Sequence, residues 1–285
     1  MNKVYACMDG LASTPPVIDW SVWAAQRLET AIEFLHVLEH QPDHAAFGDY
    51  SGAIGLGAQE SLLHELSELD ARRSKLAQDV GRQLLASACE RALASGVTQL
   101  NGRLRHGELV DTLQELQADV RLIVLGEHHH ATRPTRIHLD HRVERVIRSV
   151  QRPVLVAAQN HFESPNRFVI AFDGSPTARN VVETVAASPL LKGLSAVVAM
   201  VGTDSTPSQQ QLEWARQMLA AVGFDVTVAL RPGEPEQVLP ELIQAHAAGL
   251  LVMGAYGHSR IRQWIVGSTT TTLLRLSQVP VLILR

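Results

Sequence analysis

Short apolar runs rich in Val, Ile and Leu alternate with longer amphipathic stretches along all 285 residues. The runs near 3–8, 32–38, 98–104, 121–126 and 153–157 read as buried strands, as do those near 167–172, 194–201, 225–231, 249–254 and 279–284. Runs this short and continuous are expected where helices cover both faces of a parallel sheet. Helical spacing fills the intervals, over 18–29, 60–94, 108–118 and 139–150, then over 177–187, 208–222, 235–247 and 267–277. The pattern predicts an α/β protein of two doubly wound parallel sheets, each of five strands with helices on both faces.

The two halves repeat one another. Val4-Tyr-Ala-Cys-Met-Asp9-Gly10 matches Val169-Ile-Ala-Phe-Asp173-Gly174, and Leu35-His36-Val37 matches Ala199-Met200-Val201. Gly107-Glu108 matches Gly233-Glu234, Arg121–Gly126 matches Gly249–Gly254, and Arg152–Val156 matches Val279–Ile283. Elements recurring in one order indicate a duplication. The expected domains are 1–159 and 167–285, joined by a turn-rich linker over 160–166. Asp9 and Asp173 are 164 residues apart but Gly107 and Gly233 only 126, so the first domain is 38 residues longer. The excess falls between its second and third strands, as the glycine-rich stretch Phe47–Gly57 and a long amphipathic helix. No strand leads into Gly52, Gly55 and Gly57, so they read as a lid or linker rather than a phosphate loop.

Composition narrows the class. A net charge of −4, with 46% hydrophobic and 19% charged residues, is that of a globular protein without an electrostatic footprint for nucleic acid. The longest uncharged apolar runs fall well short of the ~20 residues that span a bilayer. Met1-Asn-Lys leads straight into a strand with no leader pattern, so a cytoplasmic location and no membrane partner are expected. Cys7 and Cys89 fall in a strand and a helix, which argues against a disulfide framework.

Candidate chemistry concentrates near the end of the chain. The apolar strand Gly249-Leu-Leu-Val-Met-Gly254 runs into Ala255-Tyr256-Gly257-His258, and Gly267-Ser268-Thr269 opens the following helix. Bare glycine backbone and the N–H groups and hydroxyls of a helix start together make a phosphate cradle. The spacing G-x2-G-x9-G-[ST], carried by Gly254, Gly257, Gly267 and Ser268, resembles the ATP-binding signature of the universal stress protein family. The resemblance covers nearly the whole chain. It implies two tandem Rossmann-like domains of strand order 3-2-1-4-5 and a site for ATP, with or without Mg2+. It also implies that Asp173, with Gly174 and Ser175, lies by the ribose and phosphates. Val201 would meet the adenine through its backbone, with Met253 beside the base or ribose. By the residues alone, Asp173 is equally an N-cap for helix 177–187, and Val201 and Met253 are equally core. His258 and Arg260 sit inside the glycine loop, facing either phosphate or solvent. In the family the last strands pair antiparallel across a two-fold axis, so the two halves should form a pseudo-dimer within one chain. Further homo-oligomerisation is compatible with this.

The first half keeps Asp9-Gly10 and Gly126 but departs elsewhere. Leu11 replaces the hydroxyl of Ser175, and His129 stands where Gly257 does. Leu139 or Asp140 falls opposite Gly267, and His141 or Arg142 replaces the Ser-Thr cap. Such substitutions leave ATP to the second half. Histidines accumulate instead, and His128, His130 and His138 are the candidate metal ligands. Consecutive histidines point at one ion with difficulty, so a solvated cationic loop is the preferred reading.

No catalytic set is visible. Lys3, Lys75 and Lys192 are the only lysines, so there is no Walker A loop, and no G-x-S-x-G elbow appears. The expected function is that of an ATP-binding, nucleotide-responsive stress or signalling module. A slow ATPase or phosphotransferase built on the same cradle, with Asp173 and Glu234 as the candidates for a base and Mg2+ ligands, is the rival reading. A third is metal or partner binding through the histidine-rich half.

Overall fold

A computed structural model of the chain describes residues 2–39, 56–126, 141–157, 161–255 and 268–285. The first half contains β1 (Lys3–Met8), α1 (Thr14–Leu28), β2 (Ile32–Leu38), α2 (Leu56–Ala94), β3 (Leu100–His106), α3 (Leu109–Leu116), β4 (Val120–Gly126), α4 (His141–Ser149) and β5 (Val154–Ala157). The second contains β6 (Arg167–Ala171), α5 (Pro176–Ala187), β7 (Ser195–Val201), α6 (Thr206–Ala220), β8 (Val226–Arg231), α7 (Pro235–Ala245), β9 (Leu250–Gly254), α8 (Ser268–Leu276) and β10 (Val281–Leu284). The strands form one ten-stranded sheet in the order β3-β2-β1-β4-β5-β10-β9-β6-β7-β8. Each half thus has the expected order 3-2-1-4-5. Every neighbouring pair is parallel except β5 with β10, where Val156 lies opposite Val281 and Val154 opposite Ile283. The halves therefore pair with each other, as the resemblance implied.

Alternation of side chains across the sheet divides the core in two. Val4, Ala6, Phe34, Val124, Phe168, Ile170, Val198 and Val252 face α1, α2, α5 and α6. Tyr5, Leu35, Ile123, Val156, Val169, Val197, Leu251 and Ile283 face α3, α4, α7 and α8. Strands buried on both faces explain why the apolar runs were continuous rather than alternating.

Several element ends differ from expectation, among them those of α1, α2 and β3. Helix α1 begins at Thr14 rather than 18, with Pro15 and Pro16 inside its first turn. That turn has no intrahelical acceptors for its N–H groups, so the prolines lose nothing there. Helix α2 begins at Leu56 rather than 60. Strand β3 runs from Leu100 to His106 rather than 98–104. As an edge strand it is half solvated, so hydrophobicity marks its ends poorly.

Candidate functional site

In each half the strand order reverses between the first and fourth strands, and ligands of open parallel sheets bind beyond the carboxyl ends at that point. In the second half this is the gap between β6 and β9. Asp173 and Gly174 follow β6, Val201 ends β7, Gly254 ends β9, and α8 starts at Ser268. The structure brings these expected residues to one end of the sheet. Tyr256, Gly257, His258 and Gly267 lie outside the described residues, as do the candidate metal ligands His128, His130 and His138. Among the described residues no group of three or more His, Cys, Asp or Glu could hold a metal ion.

The Asp-Gly turn is built alike in both halves. Gly10 and Gly174 have φ of +78° and +72°, a region that L side chains rarely enter. Asp173 is exposed, and its Oδ1 accepts the Ser175 N–H at 2.9 Å. Ser175, not Asp173, is the N-cap of α5: its Oγ accepts the Ala178 N–H at 3.1 Å. The capping alternative for Asp173 is thereby corrected. Its carboxylate fixes the turn and reaches solvent at the mouth of the crevice.

Asp9 occupies the matching place and makes the same bond two residues on, with two further partners. It accepts the Leu11 N–H at 2.8 Å, the Ser13 hydroxyl at 3.2 Å and the Thr14 hydroxyl at 3.2 Å. Across the first crevice Arg142 donates to Glu39 at 2.7 Å. Cys7, Met8, Asp9, Val37, Gly126 and Arg142 line about 30 Å3 of free space there. That holds a water molecule or two, far below the roughly 300 Å3 of a small ligand pocket. Burial, then the charge of Asp9, pushes the Cys7 thiol up to about 12, so it is no nucleophile.

The strand-end glycines have a packing role that the sequence did not disclose. A Cβ on Gly254 would lie 2.7 Å from Thr177 Cγ2, and one on Gly126 would lie 2.4 Å from Ser13 Cβ. Bare backbone at these positions lets the first helix of each half sit close to the fourth strand. Met253 is buried among the residues facing α7 and α8, so its side chain belongs to the core. Val201 is half-buried at the end of β7, beside the same cluster.

Sequence reasoning missed the clasp behind Asp173. The Arg179 guanidinium lies 4.9 Å over the Trp214 ring, and its Nε donates to the Gly174 carbonyl at 3.4 Å. Trp214 stacks on Phe172 at 6.3 Å, and the Gln211 amide rests against Gly174. These contacts tie the Asp-Gly turn to α6. The cue was an arginine four residues after a cap serine, too common a pattern to single out.

The family model described as Universal stress protein family matches residues 1–158 and 165–285. The chain is similar to the universal stress protein Slr1230 of Synechocystis, with 32% identity over the full length of both chains. It is 24% identical to the universal stress protein Rv1996 of Mycobacterium tuberculosis, covering 98% of this chain and 93% of that one. A universal stress protein structure from Archaeoglobus fulgidus superposes with a TM-score of 0.67 at 18% identity, covering 100% of this chain and 96% of that one. That last likeness bears on the fold alone. Among the described residues, no helix is long and apolar enough to cross a membrane.

Proposed function

The chain belongs to the universal stress protein family, and from that premise we propose that it is an ATP-responsive signalling module whose second half alone holds the nucleotide. The observation that carries this is the contrast between the two aspartates. Asp173 stands exposed at the strand-order reversal, whereas Asp9 is held by two hydroxyls in a crevice with room only for water.

The residues fit an adenine nucleotide. Asp173 can accept the ribose hydroxyls or hold Mg2+ on the phosphates, and the end of β7 at Val201 offers backbone groups to the base. The first turn of α8, from Ser268, has N–H groups without intrahelical acceptors, which can meet phosphate. With Gly257 and Gly267, these make up the cradle that the G-x2-G-x9-G-[ST] spacing implies. Binding, not turnover, is the proposed role.

Calorimetric titration of the full chain with ATP and Mg2+ tests this. One site per chain is expected, lost in the double variant Gly257→Val/Gly267→Val. Two equivalent sites, or one surviving both substitutions, would place the nucleotide elsewhere. Linear ATP turnover above the double-variant baseline would make the site that of an enzyme.

A further inference from the structure

Helix α2 has 39 residues, and among its described side chains only those of the C-terminal part lie on the sheet. Gly81, Leu85, Ala88 and Ala92 are buried there. The preceding 25 residues extend the helix by about 37 Å, at ~1.5 Å per residue. On that extension Leu69, Val80 and Leu76 are 51%, 55% and 65% exposed, and Leu66 is half-buried. At 100° per residue, this stripe is turned by about 110° from the sheet-facing side. It is therefore not the unused end of the core face. Its spacing, 66, 69, 73, 76, 80, is the three-four alternation of a helix-pairing seam, interrupted by Arg73.

We propose that this stripe is the seam of a homodimer in which the α2 extensions of two chains pack antiparallel. Charge decides both occupant and direction. In a parallel pair Arg73 would stack on its own copy at the axis, and Glu65 would face Asp70 of the other chain. In the antiparallel register Leu69 lies against the other chain's Val80 and Arg73 against its Leu76, and each recurs by the two-fold. Arg72 then faces Asp79 of the other helix, and the two-fold repeats this pair along the same flank of the seam. The Arg73 stem packs along leucine while its guanidinium reaches water. Arg72 and Asp79 bind Glu68 at 3.4 Å and Arg82 at 2.5 Å within their own helix, and both stay well exposed. A seam whose flanking charges complement themselves under a two-fold fits a second copy of this chain. The apolar edges of β5 and β10 are already paired within the chain, so this surface is separate from them. The inference does not depend on nucleotide binding.

Sedimentation of the full-length protein tests it. The wild type should be a dimer at tens of micromolar. Leu69→Glu/Leu76→Glu should raise the dissociation constant at least about 100-fold, with melting temperature and circular dichroism near wild type. Arg72→Asp or Asp79→Arg alone should weaken the dimer about 10-fold, and the two together should restore it to within about threefold. A monomeric wild type at about 100 μM, or a dimer indifferent to the leucine substitutions, overturns the seam. A combined reversal weaker than either single one overturns the antiparallel register.

Discussion

Arg142 and Glu39 meet at 2.7 Å across the mouth of the first crevice. By the internal repeat the second half has Thr269 and Thr203 at these places, two residues that cannot form an ion pair. The ion pair across the first crevice thus has no counterpart in the second half. Substituting Asp9→Ala should therefore leave ATP stoichiometry at one per chain and affinity within about twofold, as read by equilibrium dialysis. A fall in stoichiometry would show that the first half contributes a site.

Asp173→Ala separates ligand contact from turn geometry. Losing a hydrogen bond to a charged group costs about 1–3 kcal/mol, so ATP affinity should drop roughly 5- to 150-fold. Among the described residues only the Ser175 N–H bond is lost in the fold, and it is exposed. Thermal stability should fall by less than about 1 kcal/mol. Paired calorimetry and melting curves read both quantities.

Gly254→Ala should destabilise by about 1–3 kcal/mol through overpacking, because the new methyl meets Thr177 Cγ2 at 2.7 Å. Adding Thr177→Ser removes that methyl and should recover most of the loss. Gly126→Ala meets Ser13 at its Cβ, close to the backbone, and should be the harder change to rescue. Chemical denaturation measures all three, and a neutral Gly254→Ala would leave ligand approach as the reason for that glycine.

Glu33 is fully buried on β2, where Lys3 at 2.9 Å, Arg103 at 2.8 Å and Asn101 at 3.0 Å surround its carboxylate. Removing one member of a fully buried pair costs roughly 3–5 kcal/mol; here both cations keep some solvent contact, so about 2–3 kcal/mol is expected for Glu33→Ala. Glu33→Gln keeps the hydrogen bond with Arg103 and should cost less. Urea unfolding distinguishes the two variants.

Stability should fall as pH rises above about 9. Burial pushes Cys7 from 9.0 to about 12, and burial with the nearby charges of Asp119 and Glu33 pushes Tyr5 from 10.0 to about 12. The Lys3 ammonium is raised above 10.5 by its hydrogen bond to Glu33. All three folded values exceed the unfolded ones, so the native state holds more protons in this range. Their contribution is complete below the unfolded values and is lost as pH climbs through the folded ones. Cys7→Ala should flatten the decline between about pH 9 and 10, where both thiols have begun to titrate in the unfolded chain, Cys89 also being raised by burial in the folded one. An unchanged slope in Cys7→Ala melts would assign the onset to another group.

The sequence by itself determined the duplication, the alternation of strands and helices, and which half carries Gly257 and Gly267. These are local patterns: strands buried on both faces must be apolar throughout, and phosphate cradles need bare backbone at fixed spacing. The G-x2-G-x9-G-[ST] resemblance added the strand order and the pairing of Val154–Val156 with Val281–Ile283. Contacts between distant residues stayed illegible. Nothing local to Gly254 announces Thr177 above it, and although Ser13 and Thr14 stand close to Asp9 in sequence, the pattern did not show that both turn their hydroxyls onto it while Asp173 faces water. The Arg142–Glu39 ion pair joins residues 103 apart in sequence, and the Arg179–Trp214 clasp joins two helices. The leucine stripe of α2 was visible as an amphipathic pattern. Only the tertiary structure showed that the sheet lies about 110° away from it at 100° per residue, because a helix pattern fixes relative faces but not what each face meets.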